Sequence, residues 1–203
     1  MRVDDAAYRW ALHRAVFEFP PLLAMERNYL RAPQSFPTQD SSGGIHRIFI
    51  GRDGRVVSAF EIARYRDRAD ILVELFKDGQ PGRLVRSGAD ILFYARVEAD
   101  RVFVARLDTV LRLARAHWKA GRGLRKDGAV LVGVPLQELM QLEAVSIRKV
   151  PGLREHVRHR MPGLLQQARQ RRIRRPDELL EDRLTLGFRS RLSPGARPIG
   201  SCP

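Results

Sequence analysis

The sequence predicts an α/β fold, a mixed β-sheet flanked by helices, on three observations. Apolar residues near the N-terminus recur at helical spacing. The middle of the chain holds paired runs of β-branched and aromatic residues separated by the turns Gly51-Arg52-Asp53-Gly54 and Glu98-Ala99-Asp100. From Leu107 to Leu142 helical and strand periods then alternate. The domain predicted this way spans residues 1–145. Residues 146–203 read as a basic C-terminal extension, partly helical or without fixed structure.

Each element has its own signal. Tyr8, Leu12, Ala15, Val16 and Phe19 mark an amphipathic helix from Asp5, which Pro20-Pro21 stops. A short helix follows from Leu22 to Leu30. Residues 31–44, rich in Pro, Ser and Gly, read as a loop. Residues 45–50 and 55–60 flank Gly51-Arg52-Asp53-Gly54 as a β-hairpin, and residues 70–76 give a third strand. Residues 91–97 and 101–106 form a second hairpin. The helix after it is expected to be capped by Asp108, with Val110, Leu111, Leu113 and Ala114 inward. A strand over 129–134 and a helix over 136–142, opened by Pro135, complete the order.

Composition bounds the function. The chain has 37 Lys+Arg against 23 Asp+Glu, a formal net charge of +14. Such an excess attracts polyanions by steering and counterion release, and DNA is the expected partner. The lone cysteine, Cys202, excludes an internal disulfide and CxxC zinc sites, which fits a reducing cytoplasm. No signal-peptide pattern and no apolar run of membrane-spanning length are present, so no membrane partner is expected. A P-loop, an HExxH helix and a GxSxG turn are all missing.

What remains is a set of acids on successive strands within a basic chain. Asp40 enters the first strand, Glu61 lies at the end of the second and Glu74 on the third. Carboxylates at adjacent strand ends can converge on a divalent cation, which activates water and screens a scissile phosphate. Each acid alone is also accounted for as a surface charge beside an arginine.

The stretch from Gln39-Asp40 through Gly44-Ile45-His46-Arg47-Ile48, Asp53-Gly54-Arg55 and Phe60-Glu61-Ile62-Ala63-Arg64 carries a resemblance. So do Asp70-Ile71-Leu72-Val73-Glu74, Pro81-Gly82-Arg83-Leu84-Val85 and Ala89-Asp90-Ile91-Leu92-Phe93-Tyr94. In layout this order resembles the PD-(D/E)XK nuclease superfamily, and more closely its phage- and prophage-type members. The likeness covers residues 5 to 142 and is carried by layout and short words. It implies a restriction-endonuclease-like core, metal ligation by Asp40, Glu61 and His46, and Mg²⁺ or Mn²⁺ as cofactor if the site is active. The motif is degenerate. His46 stands where relatives commonly carry Asp, and with Glu61 as the acid, Ala63 stands where the motif has Lys.

Two functions follow from this reading. One is a metal-dependent deoxyribonuclease using Asp40, Glu61, Glu74 and His46. The other is a silent nuclease-like domain that binds DNA or builds a phage or nucleoprotein assembly, with a homodimer left open. In both, Arg47, Arg64, Arg66, Arg83, Arg122, Arg171, Arg172, Arg174 and Arg175 are the expected nucleic-acid contacts. A ribosome-associated RNA-binding protein is permitted by composition alone.

Overall fold

The computed structural model describes residues 5–38, 46–65 and 69–173; Asp40, Arg66, Arg174 and Arg175 lie outside these residues. Helices α1 (Asp5–Phe17) and α2 (Pro20–Tyr29) open the chain. Pro20 and Pro21 do more than stop α1. They occupy the first turn of α2, where proline's missing N–H costs nothing.

Strands β1 (Gln34–Pro37), β2 (Arg47–Ile50) and β3 (Val56–Arg64) form an antiparallel meander. Next come β4 (Asp70–Lys77), β5 (Gln80–Pro81) and the single-turn α3 (Arg83–Arg86). Strands β6 (Ile91–Arg96) and β7 (Arg101–Arg106) form the second hairpin, and α4 (Leu107–Lys119) follows directly. The chain ends with β8 (Leu124–Lys126), β9 (Ala129–Pro135), α5 (Leu136–Gln141), β10 (Val145–Lys149) and α6 (Leu153–Ile173).

The architecture is α/β with a mixed sheet between helical layers. One sheet has the order β1-β2-β3-β6-β7-β10, with β3 and β6 parallel and its other neighbours antiparallel. A second sheet has the order β5-β4-β9-β8. The expectation that β4 extends the first hairpin is therefore corrected. β6 takes the edge of β3, and β4 pairs with β9 in the other sheet. The physical reason is the crossover. Parallel strands β3 and β6 need a long connection, and here β4, β5 and α3 make it by lying over one face of the larger sheet.

Alternation along β6 and β7 separates two cores. Phe93, Ala95, Val102 and Val104 face one side and pack with Leu12, Val16 and Phe17 of α1 and with Leu153 and Val157 of α6. Leu92, Tyr94, Phe103 and Ala105 face the other side. There they meet Ile71 and Val73 of β4, Val132 and Val134 of β9, and α4. α4 buries Leu107, Val110, Leu111 and Ala114, one stripe at helical spacing. Asp108 lies inside the first turn, with Arg106 as the N-cap residue, so the expected Asp108 cap is not formed.

The region beyond residue 145 is built into this scaffold up to residue 173. β10 pairs with β7 through five residue pairs, and α6 buries Leu153, Val157, Met161 and Leu164. Among the described residues no helix is long and apolar enough to cross a membrane.

Candidate functional site

A buried polar cluster lies where α1 and α2 cover the β2–β3 hairpin. α1 supplies His13, α2 supplies Glu26, and the start of β2 supplies His46 and Arg47. β3 brings Glu61 in from the opposite strand. Glu26 is 0% exposed and Glu61 2%, values that demand an explanation for two carboxylates.

Arg47 provides most of it. Its Nε donates to Glu61 Oε1 at 2.8 Å, and its terminal NH2 donates to the Phe17 carbonyl at 3.0 Å. The same Nε lies 3.9 Å from Glu26 Oε2. His13 Nε2 is 3.3 Å from Glu61 Oε2. Burial alone would raise the Glu61 carboxyl. His13 and Arg47 outweigh burial and hold it below its ordinary value. Glu26 has less help: the Arg47 charge lowers it, but neither of its oxygens accepts a hydrogen bond. Burial, then the neighbouring Glu61 charge, pushes its carboxyl well above the usual range.

His46 is held between two donors. The Glu61 backbone N–H donates to Nδ1 at 3.0 Å, and an Arg83 NH2 points at Nε2 from 3.2 Å. A neutral imidazole accepts at only one nitrogen, and an imidazolium at neither. Burial first, with the charges of His13 and Arg83, lowers the His46 pKa to about 4. Phe60 packs on the ring at a centroid distance of 4.5 Å.

A cleft of about 330 Å³ opens onto this cluster, with His13, His46, Glu61 and Thr38 in its lining. Ligand-type atoms of His13, His46 and Glu61 lie within 4.8 Å of one another, a span that a metal ion could fill. The lone pairs do not match the distances. Glu61 Oε1 is taken by Arg47, and both nitrogens of His46 face donors. The second acid of the cleft lining, Glu18, is paired with Arg14 and Arg160, and the buried Glu26 behind the cluster has its carboxyl pushed above the usual range. Mg²⁺ and Mn²⁺ want several oxygen ligands, and one oxygen of the single carboxylate in the His13–His46–Glu61 group already carries the cationic Arg47 guanidinium. The residues present do not fit the hard divalent cation of a nuclease.

The other expected site residues are dispersed. Glu74 is half-buried on β4 in the second sheet, at a bulge between Glu74 and Phe76. Asp40 lies outside the described residues, so among the predicted acids Glu61 alone reaches this cleft. Arg47, expected at a phosphate, is 8% exposed and spent on Glu61 and Phe17. Arg83 is exposed beside His46, Arg64 is half-buried at the end of β3, and Arg122 is exposed in the turn after α4. Arg171 and Arg172 fall within the span of α6.

Two members of the cluster were missed. Both left a signal, since His13 and Glu26 sit on helix faces that are otherwise apolar. Glu26 follows the buried Leu22 by four residues, and His13 precedes the buried Val16 and Phe17 by three and four.

No protein-family description, no curated protein and no solved structure matches this chain.

Proposed function

We propose that this protein binds DNA, and that its nuclease-like site is silent in metal-dependent cleavage. The observation that carries this reading is the Arg47–Glu61 pair. Two acids line the cleft: Glu61 is already paired at 2.8 Å with a buried guanidinium, and Glu18 is paired with Arg14 and Arg160, where a hydrolytic centre would present a carboxylate to a cation and water. The degenerate motif supports the same reading, with His46 and Ala63 in place of the Asp and Lys of the PD-(D/E)XK pattern. The net charge of +14 supplies the attraction for a polyanion.

The test has two arms. Fluorescence anisotropy with a short duplex should give an affinity that falls steeply as salt is raised, and a flat response removes DNA as the partner. Plasmid nicking in Mg²⁺ and Mn²⁺ should be no greater for the wild type than for Glu61→Gln. Metal-dependent nicking that disappears in a normally folded Glu61→Gln variant would restore the enzyme reading.

A further inference from the structure

We propose that the DNA contact surface is an arginine-lined groove at the turn end of the β2–β3 hairpin, separate from the His46–Glu61 cleft. This inference rests on the DNA-binding reading above and identifies the surface responsible. Two adjoining clefts, of about 550 and 840 Å³, share Arg31, Ala32 and Arg52 and so form one continuous groove. Its walls are the last turn of α2 with Arg27, the turn after it with Arg31, and the β2–β3 turn with Arg52 and Arg55. The Glu61 cleft lies at the other end of the same two strands, beside His46.

These four guanidiniums are exposed, and among the described residues none has a carboxylate within ion-pairing distance. Arg27 and Arg31 are not needed to finish α2. Its last carbonyls are taken by backbone N–H groups, Leu30 to Glu26, Arg31 to Asn28 and Ala32 to Arg27. Arg31 adopts a left-handed backbone, with φ at 51°. That position favours Gly or Asn, yet it carries a long cation beside the groove.

Three acids also line the groove, and each is engaged within the protein. Asp53 Oδ1 accepts the Arg55 backbone N–H. Asp90 Oδ2 accepts from the Ser58 N–H and hydroxyl. Asp108 is paired with Arg106 through two hydrogen bonds. All three line the larger cleft, and the smaller one, with Arg27, Arg31 and Arg52, has no acid in its lining. Uncommitted planar donors around a groove whose smaller cleft carries no acid suit the oxygens of successive phosphodiesters. The ligand class is therefore the sugar–phosphate backbone of DNA, gripped without reading its sequence.

The test uses the full chain and two triple variants of equal charge change. One is Arg27→Gln/Arg31→Asn/Arg52→Gln in the groove. The other is Arg101→Gln/Arg112→Gln/Arg115→Gln on exposed positions elsewhere. Asn at position 31 keeps the left-handed backbone accessible. Anisotropy against a duplex over a salt series should show the groove variant at least about tenfold weaker. Its slope of log affinity on log salt should be shallower by about 2 to 3, since each lost phosphate contact removes about 0.9. The control variant should lose much less. Equal losses in both would reduce the effect to net charge and overturn the groove. Full affinity in the groove variant would overturn it while leaving DNA binding in place. A wild type that does not bind would remove the DNA-binding reading and the groove with it.

Discussion

Arg47 joins two chemistries that a protein interior normally keeps apart. It neutralises Glu61 and lies near Glu26, and its own exposure is 8%. Replacing both members of a buried ion pair with apolar side chains can be nearly neutral, whereas removing one strands the other charge. Arg47→Met should therefore cost about 3–5 kcal/mol in urea unfolding. Arg47→Met/Glu61→Leu should recover much of that loss. If the double variant is as unstable as the single one, the pair is not the source of the penalty. His46 and Glu26 add a pH dependence with opposite signs. The folded state holds His46 near pKa 4 against 6.5 for a free ring. The unfolded chain then binds more protons across that window, and stability falls as pH drops from about 6.5 to 4, by up to about 3 kcal/mol. Glu26 is raised, so its contribution is full below its unfolded pKa and is lost as pH rises above about 4.5. The two slopes oppose each other in wild type. Glu26→Gln should steepen the acid-side loss and His46→Asn should reduce it, leaving the part due to His156 and Glu61, as read by urea midpoints from pH 4 to 7. Identical profiles for all three proteins would refute this linkage.

At the scale of elements, local pattern was readable and partnership was not. The turn Asp53-Gly54 places the first hairpin, with Gly54 at φ 77° as the turn requires. The runs Ile91–Val97 and Arg101–Arg106 were equally clear. The sequence of β4 shows that Ile71, Val73 and Leu75 are buried together. A period of two tells which face is covered but not which sheet the strand joins, so Glu74 was grouped with Glu61 although they lie in different sheets. The bulge at Glu74 has a packing counterpart, because Gly82 lies so close that a side-chain carbon there would collide with the Glu74 carbonyl. Glu26 gives a fainter signal than the strand acids, a single carboxylate four residues after Leu22 on the buried face of α2. The polar composition after residue 145 likewise hid the stripe Leu153, Val157, Met161 and Leu164. That stripe makes α6 part of the first core. Ending the chain at Ala144 should therefore abolish cooperative thermal unfolding, because it removes β10 and α6 together. Ending it at Ile173 should leave the melting temperature within a few degrees, as differential scanning calorimetry would measure. A stable, cooperative protein ending at Ala144 would make the last strand and helix accessory.

Over the whole molecule, the larger sheet belongs to both cores. β6 and β7 are buried on both faces, so neither helical layer nor second sheet can detach without exposing strands that the other side also needs. The positive charge is spread over the outside of this shared frame. Arg112 and Arg115 lie on the exposed face of α4, Arg125 and Lys126 on β8, and Arg148 and Lys149 on β10. The total charge was legible from residue counts. The groove was not, since it depends on Arg31 and Arg52 meeting across a turn and a hairpin that the sequence leaves unrelated.

The margins of the two sheets share one property. β1 ends in Pro37 and β5 in Pro81, while the outer strands β8 and β10 carry Arg125, Lys126, Arg148 and Lys149. Proline denies a neighbouring copy one rung of the ladder, and like charges keep two such margins apart. These cations, part of the excess charge on which the proposed DNA binding rests, thus also guard the molecule against stacking into fibrils. A bound polyanion that cancels them would relax that guard, so solubility is expected to be lowest where the two charges balance.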